Sequence, residues 1–209
     1  MVEVMESTFV VPSDETPREK LWLSNLDQAA QVSYTCIVYH YRNNEAQDFF
    51  SIEVLKAALA KTLVLFYPLA GRFFIGEGGR RAVDCNAEGV LFVVARSELS
   101  SDDINFQPSP ELRSMFVPSP PSTPLMSMLQ VTYLKCGGVV LGTANNHISI
   151  DGRSAFHYFQ TWARIARGDL NNIIAPSFDN TPLLARSPPS ITFDHYELSN
   201  IVTMGIKID

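Results

Sequence analysis

Residues 129–152 leave this chain little choice of local fold. Leu129, Val131 and Tyr133 alternate with Gln130 and Thr132, the period-two pattern of a half-buried strand. Gly137-Gly138 supplies the positive-φ turn of a hairpin, and "VVLGTA" (139–144) returns as the partner strand. His147 then stands where that strand leaves the core, followed by two β-branched isoleucines that disfavour a helix and by the turn pair Asp151-Gly152. Loop positions held by a rigid scaffold are where active sites are commonly built. Beyond the turn, Ala155, Phe159, Trp162, Ala163 and Ala166 give a helix over 154–167 one apolar face, and Gly168 stops it.

The remaining segments complete a mixed α/β chain. "STFVVPS" (7–13) reads as a strand stopped by Pro12, and "SYTCIVYHY" (33–41) as a second, rich in β-branched and aromatic residues. Residues 16–27 run from polar to apolar and end in an Asn/Asp turn. Ile52, Leu55, Leu59, Leu63 and Phe66 recur at helical spacing behind Ser51, a suitable N-cap, and "YPLAGR" (67–72) ends that helix. Residues 80–96 read as two short strands with a turn near Asn86–Gly89. Between Phe106 and Pro124 lie six of the thirteen prolines, so an ordered loop or polyproline segment is expected there.

Composition narrows the partners. The formal charge of −6 and pI near 5.2 argue against the broad basic footprint that nucleic acids require. No apolar run approaches the ~18 residues needed to cross a bilayer, and "MVEVMESTF" lacks a basic region followed by an apolar one, so a cytoplasmic protein with no membrane partner is expected. Cys36, Cys85 and Cys136 are odd in number and form no CxxC, which fits reduced, mostly buried thiols.

His147 and Asp151 make H-x-x-x-D, a pattern that chance alone supplies in roughly one chain in five of this composition. An imidazole titrating near neutrality can take a proton from a hydroxyl or amine attacking a carbonyl and return it to a leaving group. Asp151 could orient that ring, or pair with a cation elsewhere and merely pin the loop. A metal held by His147, Asp151 and His157 is the rival, but there is no H-E-x-x-H, and the expectation is no metal. His40, His157 and His195 are assigned ordinary hydrogen-bonded roles. There is no G-x-S-x-G to suggest a serine nucleophile. Gly76, Gly78 and Gly79 match no phosphate-binding pattern and read as a hairpin turn, with Arg80 and Arg81 on a solvated edge.

"HISIDG" (147–152) is similar to the H-x-x-x-D-G of the BAHD acyltransferases, plant enzymes that move acyl groups from coenzyme A thioesters to alcohols or amines. "LSNLD" (23–27), "YPLAGR" (67–72), "DCNAEGVLF" (84–92), "LQVTYLKCGGVVLG" (129–142) and "LLARSPPSITFDH" (183–195) resemble that family in order, with wording nearest its hydroxycinnamoyl-CoA:shikimate/quinate branch. The resemblance implies the N-terminal half of a fold like that of chloramphenicol acetyltransferase, a mixed sheet with flanking helices. It implies His147 as general base in direct attack on the thioester, with no covalent acyl-enzyme. Asp151 would hold the loop through a salt bridge, Gly152 would give the turn room, and Tyr39 and Ile37 would line the substrate channel. Acyl-CoA would be a co-substrate and a hydroxylated small molecule the acceptor, with no bound cofactor.

Two departures stand out. Asn146 replaces a histidine that often precedes the base, and D-F-G-W-G, a motif of the family's second half, is nowhere in the sequence. The expected organisation is an acyltransferase domain over 1–168 and a Pro-rich crossover with an atypical tail over 169–209, the second domain being absent. The alternative reading is a truncated, non-catalytic half-enzyme whose exposed domain interface drives self-association.

Overall fold

The computed structural model describes residues 2–30, 33–46, 48–76, 79–184, 188 and 190. His195 and most of the segment beyond 184 therefore lie outside the described residues. In chain order the elements are β1 (Val2–Val10), β2 (Lys20–Trp22), α1 (Asn25–Ala29), β3 (Tyr34–Tyr41), α2 (Ile52–Leu65), β4 (Arg72–Ile75), β5 (Arg81–Asp84), β6 (Val90–Ser97), α3 (Pro110–Phe116), β7 (Ser127–Leu134), β8 (Val139–Asn146) and α4 (Gly152–Ala166). They form a five-stranded sheet in the order β1-β6-β7-β8-β3 and a three-stranded sheet in the order β2-β5-β4. Among the described strand pairs only β6 and β7 run parallel, and the connection through α3 supplies the crossover that parallel pairing needs. The mixed α/β class expected from sequence is what the chain adopts.

Helices α2 and α4 pack on one face of the large sheet. Leu59, Leu63, Phe92, Leu129, Val131, Tyr158 and Trp162 form the core there, and Trp162 Nε1 donates to the Leu55 carbonyl at 2.9 Å. Ser51 caps α2 through the Val54 amide, as its place in the sequence suggested. The other face is covered by α3, whose Leu112 and Phe116 meet Leu134 and Val140. The approach is close: a Cβ on Gly142 would lie 1.7 Å from the Phe116 carbonyl oxygen, so β8 tolerates only glycine under the end of α3.

This second layer corrects two expectations. β7 is not half-buried; every residue from Ser127 to Leu134 except Tyr133 is buried, because helices cover both faces. The Pro-rich segment is not wholly irregular either. Ser109 accepts the Leu112 amide, and Pro110 occupies the first helical position, where a missing N–H costs nothing, so α3 forms inside it.

Smaller differences follow the same logic. β1 extends back to Val2 by pairing with β6. The two strands expected over 80–96 exist, but β5 and β6 belong to different sheets. β4 and β5 form the hairpin expected around Gly76 and Gly79. Arg80 and Arg81 do more than edge it: Arg80 donates to Asn25 Oδ1 and the Leu23 carbonyl, Arg81 to the Ala30 carbonyl, tying α1 to the small sheet. Among the thiols Cys85 is buried and Cys36 half-buried, but Cys136, at the tip of the β7–β8 hairpin, is exposed.

Candidate active site

The loop after β8 is built to present one side chain. The Asn146 amide donates to the Met126 carbonyl and the His147 amide to the Ser33 carbonyl, both at 2.9 Å, so the strand end is held from two sides. The Ser149 amide and hydroxyl both return to the Asn146 carbonyl, and the Asn146 side-chain oxygen accepts the Ile148 amide, closing a tight turn. Ile148 and Ile150 are driven into the core, at 3% and 8% exposure. Between these two anchors His147 is exposed.

The His147 side chain stands on a wall common to two cavities. One, of about 80 Å³, lies between β3, β8 and the start of α4 and is lined by Thr35, Ile37, Tyr39, Asn145, Phe156 and Phe159. The other, of about 360 Å³, is lined by Leu23, Asp27, Leu69, His157 and Phe178 among others. Neither ring nitrogen of His147 is hydrogen-bonded to a described residue, so the imidazole can accept a proton from a molecule entering either side. Tyr39 and Ile37 share the smaller cavity with His147, because β3 pairs with β8 in a register that sets Ile37 opposite Thr143 and Tyr39 opposite Leu141. Tyr39 also borders an aromatic cavity of about 430 Å³ with Phe50, Phe156, Phe159 and Trp162. Burial raises its phenol above the ordinary range, so its hydroxyl stays protonated.

Asp151 caps the helix that follows it. Its carboxylate Oδ1 accepts the Ser154 amide at 2.8 Å as the N-cap of α4, and among the described residues it forms no ion pair. The Ser154 backbone amide holds the carboxyl below its usual range, helped by the Ser154 side chain and more weakly by His147 and Arg153. The cap ties the end of the His147 loop to the start of α4. Gly152 is the first residue of α4, and a Cβ there would meet nothing within 4 Å, so the room expected of it is not used by any described atom.

His157 lines the larger cavity, but its Nε2 is bonded to the Ile174 carbonyl at 2.8 Å. Among the described residues no group of three His, Cys, Asp or Glu side chains is placed to hold a metal ion. Sequence reasoning overlooked Thr35, Asn145, Phe156 and Phe159. Phe156 stands out only in the fold, where it is 60% exposed on the cavity wall.

The profile described as the Transferase family matches residues 1–206, running into the tail whose wording departs from the motifs quoted above. Putrescine hydroxycinnamoyltransferase 1 of Oryza sativa subsp. japonica is 46% identical, over 99% of this chain and 49% of its own length. Shikimate O-hydroxycinnamoyltransferase of Nicotiana tabacum is 45% identical, over 98% of this chain and 48% of its own. Among solved structures, vinorine synthase superposes with a TM-score of 0.76 at 26% identity, over 92% of this chain and 48% of that one. F. graminearum TRI101, solved with coenzyme A and T-2 mycotoxin, shares the fold at a TM-score of 0.57 and 16% identity, over 72% of this chain and 40% of that one. The chain spans about half the length of the curated relatives it matches. No helix among the described residues is long and apolar enough to cross a membrane.

Proposed function

Because this chain belongs to the BAHD acyltransferases, the Transferase family whose profile it matches, we propose that it supplies the base for acyl transfer from a hydroxycinnamoyl-CoA thioester to an alcohol acceptor of the shikimate or quinate type, in the cytosol. His147 takes the proton from the acceptor hydroxyl as its oxygen adds to the thioester carbonyl. The tetrahedral adduct then collapses, the C–S bond breaks, and the departing coenzyme A thiolate recovers the proton from the imidazolium. No acyl group is ever attached to the protein. Asp151 and Gly152 support the loop from the start of α4, while Ile37 and Tyr39 face the substrate.

One observation carries this reading: an exposed imidazole, uncommitted to any described neighbour, stands on the wall between two cavities on a loop anchored by Ile148 and Ile150. Such a group can reach a hydroxyl arriving from one side and a carbonyl arriving from the other. Relatives named for putrescine and for shikimate are almost equally similar to this chain, so the acceptor is decided by competition.

The test is coenzyme A release from p-coumaroyl-CoA offered with shikimate, quinate or putrescine in parallel. The expected result is ester formation with the hydroxylated acids, lost in His147→Ala; turnover retained in that variant excludes the base. A wild-type chain that leaves the thioester intact with every acceptor, and that self-associates on size exclusion, supports the non-catalytic half-enzyme instead.

A further inference from the structure

Two residues before His147, on the same face of β8, Asn145 is only 3% exposed and yet lines the smaller cavity. Its carboxamide is fixed at one end. Ser127, directly opposite on β7 and fully buried, donates its hydroxyl to Asn145 Oδ1 at 2.8 Å. Tyr158, fully buried, carries a hydroxyl that completes no hydrogen bond among the described residues. With Oδ1 engaged by Ser127 of β7, Nδ2 is the free end of the planar amide, and Thr35 and Ile37 of β3 line the cavity with Asn145 and His147. Nδ2 makes no hydrogen bond to a described residue. Among the described residues the sealed, unpaired side-chain polar atoms are Thr8 Oγ1 and Tyr158 Oη, so Nδ2 is not sealed. It is therefore the atom through which Asn145 meets the cavity. The cavity around it is mostly apolar, lined by Ile37, Ile150, Ala155, Phe156 and Phe159, and the polar side chains of Thr35, Tyr39, His147 and Asp151 that share it make no hydrogen bond to Nδ2.

A buried amide donor, oriented by a partner behind it and aimed into an apolar space beside a base, is suited to an oxygen that gains charge during reaction. Resting on the acyl-transfer reading above, we propose that Asn145 is a further substrate-contacting residue, donating from Nδ2 to the thioester carbonyl oxygen. As the acceptor oxygen adds to the carbonyl carbon, the C=O π pair moves onto that oxygen. The hydrogen bond strengthens, and the pair returns when the C–S bond breaks. Ser127 is the positioning residue, since its hydroxyl decides which end of the carboxamide faces the substrate.

The probe is p-coumaroyl-CoA carrying ¹³C at the thioester carbonyl, bound without acceptor and read by isotope-edited infrared spectroscopy. The carbonyl band is expected to shift to lower frequency on binding wild type and His147→Ala, and to lose that shift in Asn145→Leu and in the isosteric Asn145→Asp. Asn145→Asp keeps the size and one acceptor for Ser127 even if the leucine variant folds poorly. With acceptor present, Asn145→Asp is expected to lower kcat by about 10²- to 10³-fold, with far less change in KM. A bound band whose position ignores both substitutions overturns this inference alone. A wild-type chain that yields no bound thioester band overturns the acyl-transfer reading and this inference with it.

Discussion

His147 and His157 border the same cavity, ten residues apart in the chain, and are chemically unalike. His157 sits on α4, its Nε2 bonded to the Ile174 carbonyl and its ring edge-on to Phe66 at 5.1 Å. His40, at the far end of β3, is equally committed, bonded to Ser101 Oγ at 2.8 Å and stacked on Phe106 at 4.9 Å. His147 has its backbone fixed and its ring left open. The difference lies in the scaffold. A regular helix or strand offers a polar ring neighbours to bond, whereas a short loop anchored by two buried isoleucines holds a side chain in place without occupying it.

The comparison breaks first at turnover. His147→Ala is expected to lower kcat/KM by about 10²- to 10⁴-fold, while His157→Ala and His40→Ala leave it within the same order as wild type; steady-state kinetics on the three variants decides. The helix carrying His157 is the next lever. Trp162→Ala removes a side chain that is 4% exposed and is expected to cost about 3–5 kcal/mol in chemical denaturation. That loss should loosen both histidines together, because α4 begins where the His147 loop ends.

Smaller effects separate the cap from an ion pair. Asp151→Ala should cost about 0.5–2 kcal/mol, and Asp151→Asn close to nothing, since asparagine caps as well as aspartate. Because the native Ser154 amide depresses the Asp151 carboxyl, the stability it contributes is present above the unfolded carboxylate range near 4. It is lost as pH falls through the lower folded value. The gap between wild type and Asp151→Ala should close in that acid window; a gap that persists below it contradicts the cap. The smallest effect is chemical. The Cys136 thiol is lowered by the Ser101 hydroxyl, while burial and Glu19 push Cys85 up to about 11. Iodoacetamide with peptide mapping should label Cys136 first and Cys85 only on unfolding.

Much of this was legible in the sequence. Period-two alternation and Gly137-Gly138 gave the β7–β8 hairpin, and Ser51 marked the start of α2. His147 was placed at a strand exit and is found there. What could not be read depended on distant segments meeting. β7 carries polar residues on one face, and only the arrival of α3 buries them. Asn145 looks like any polar strand residue until the sheet register sets Ser127 opposite it. The helix expected from Ser154 begins at Gly152 because Asp151 caps it, a local signal that H-x-x-x-D spacing alone does not reveal.

The central claim is that His147 is the base, and its most direct test joins two titrations. The His147 imidazole is followed by NMR against pH, assigned by its loss in His147→Ala, and compared with the pH dependence of kcat/KM for hydroxycinnamoyl transfer. The account predicts that the acid limb of the rate profile falls at the His147 midpoint and that His157→Ala leaves it in place. An acid limb that follows another group, or that survives in His147→Ala with turnover intact, would contradict it.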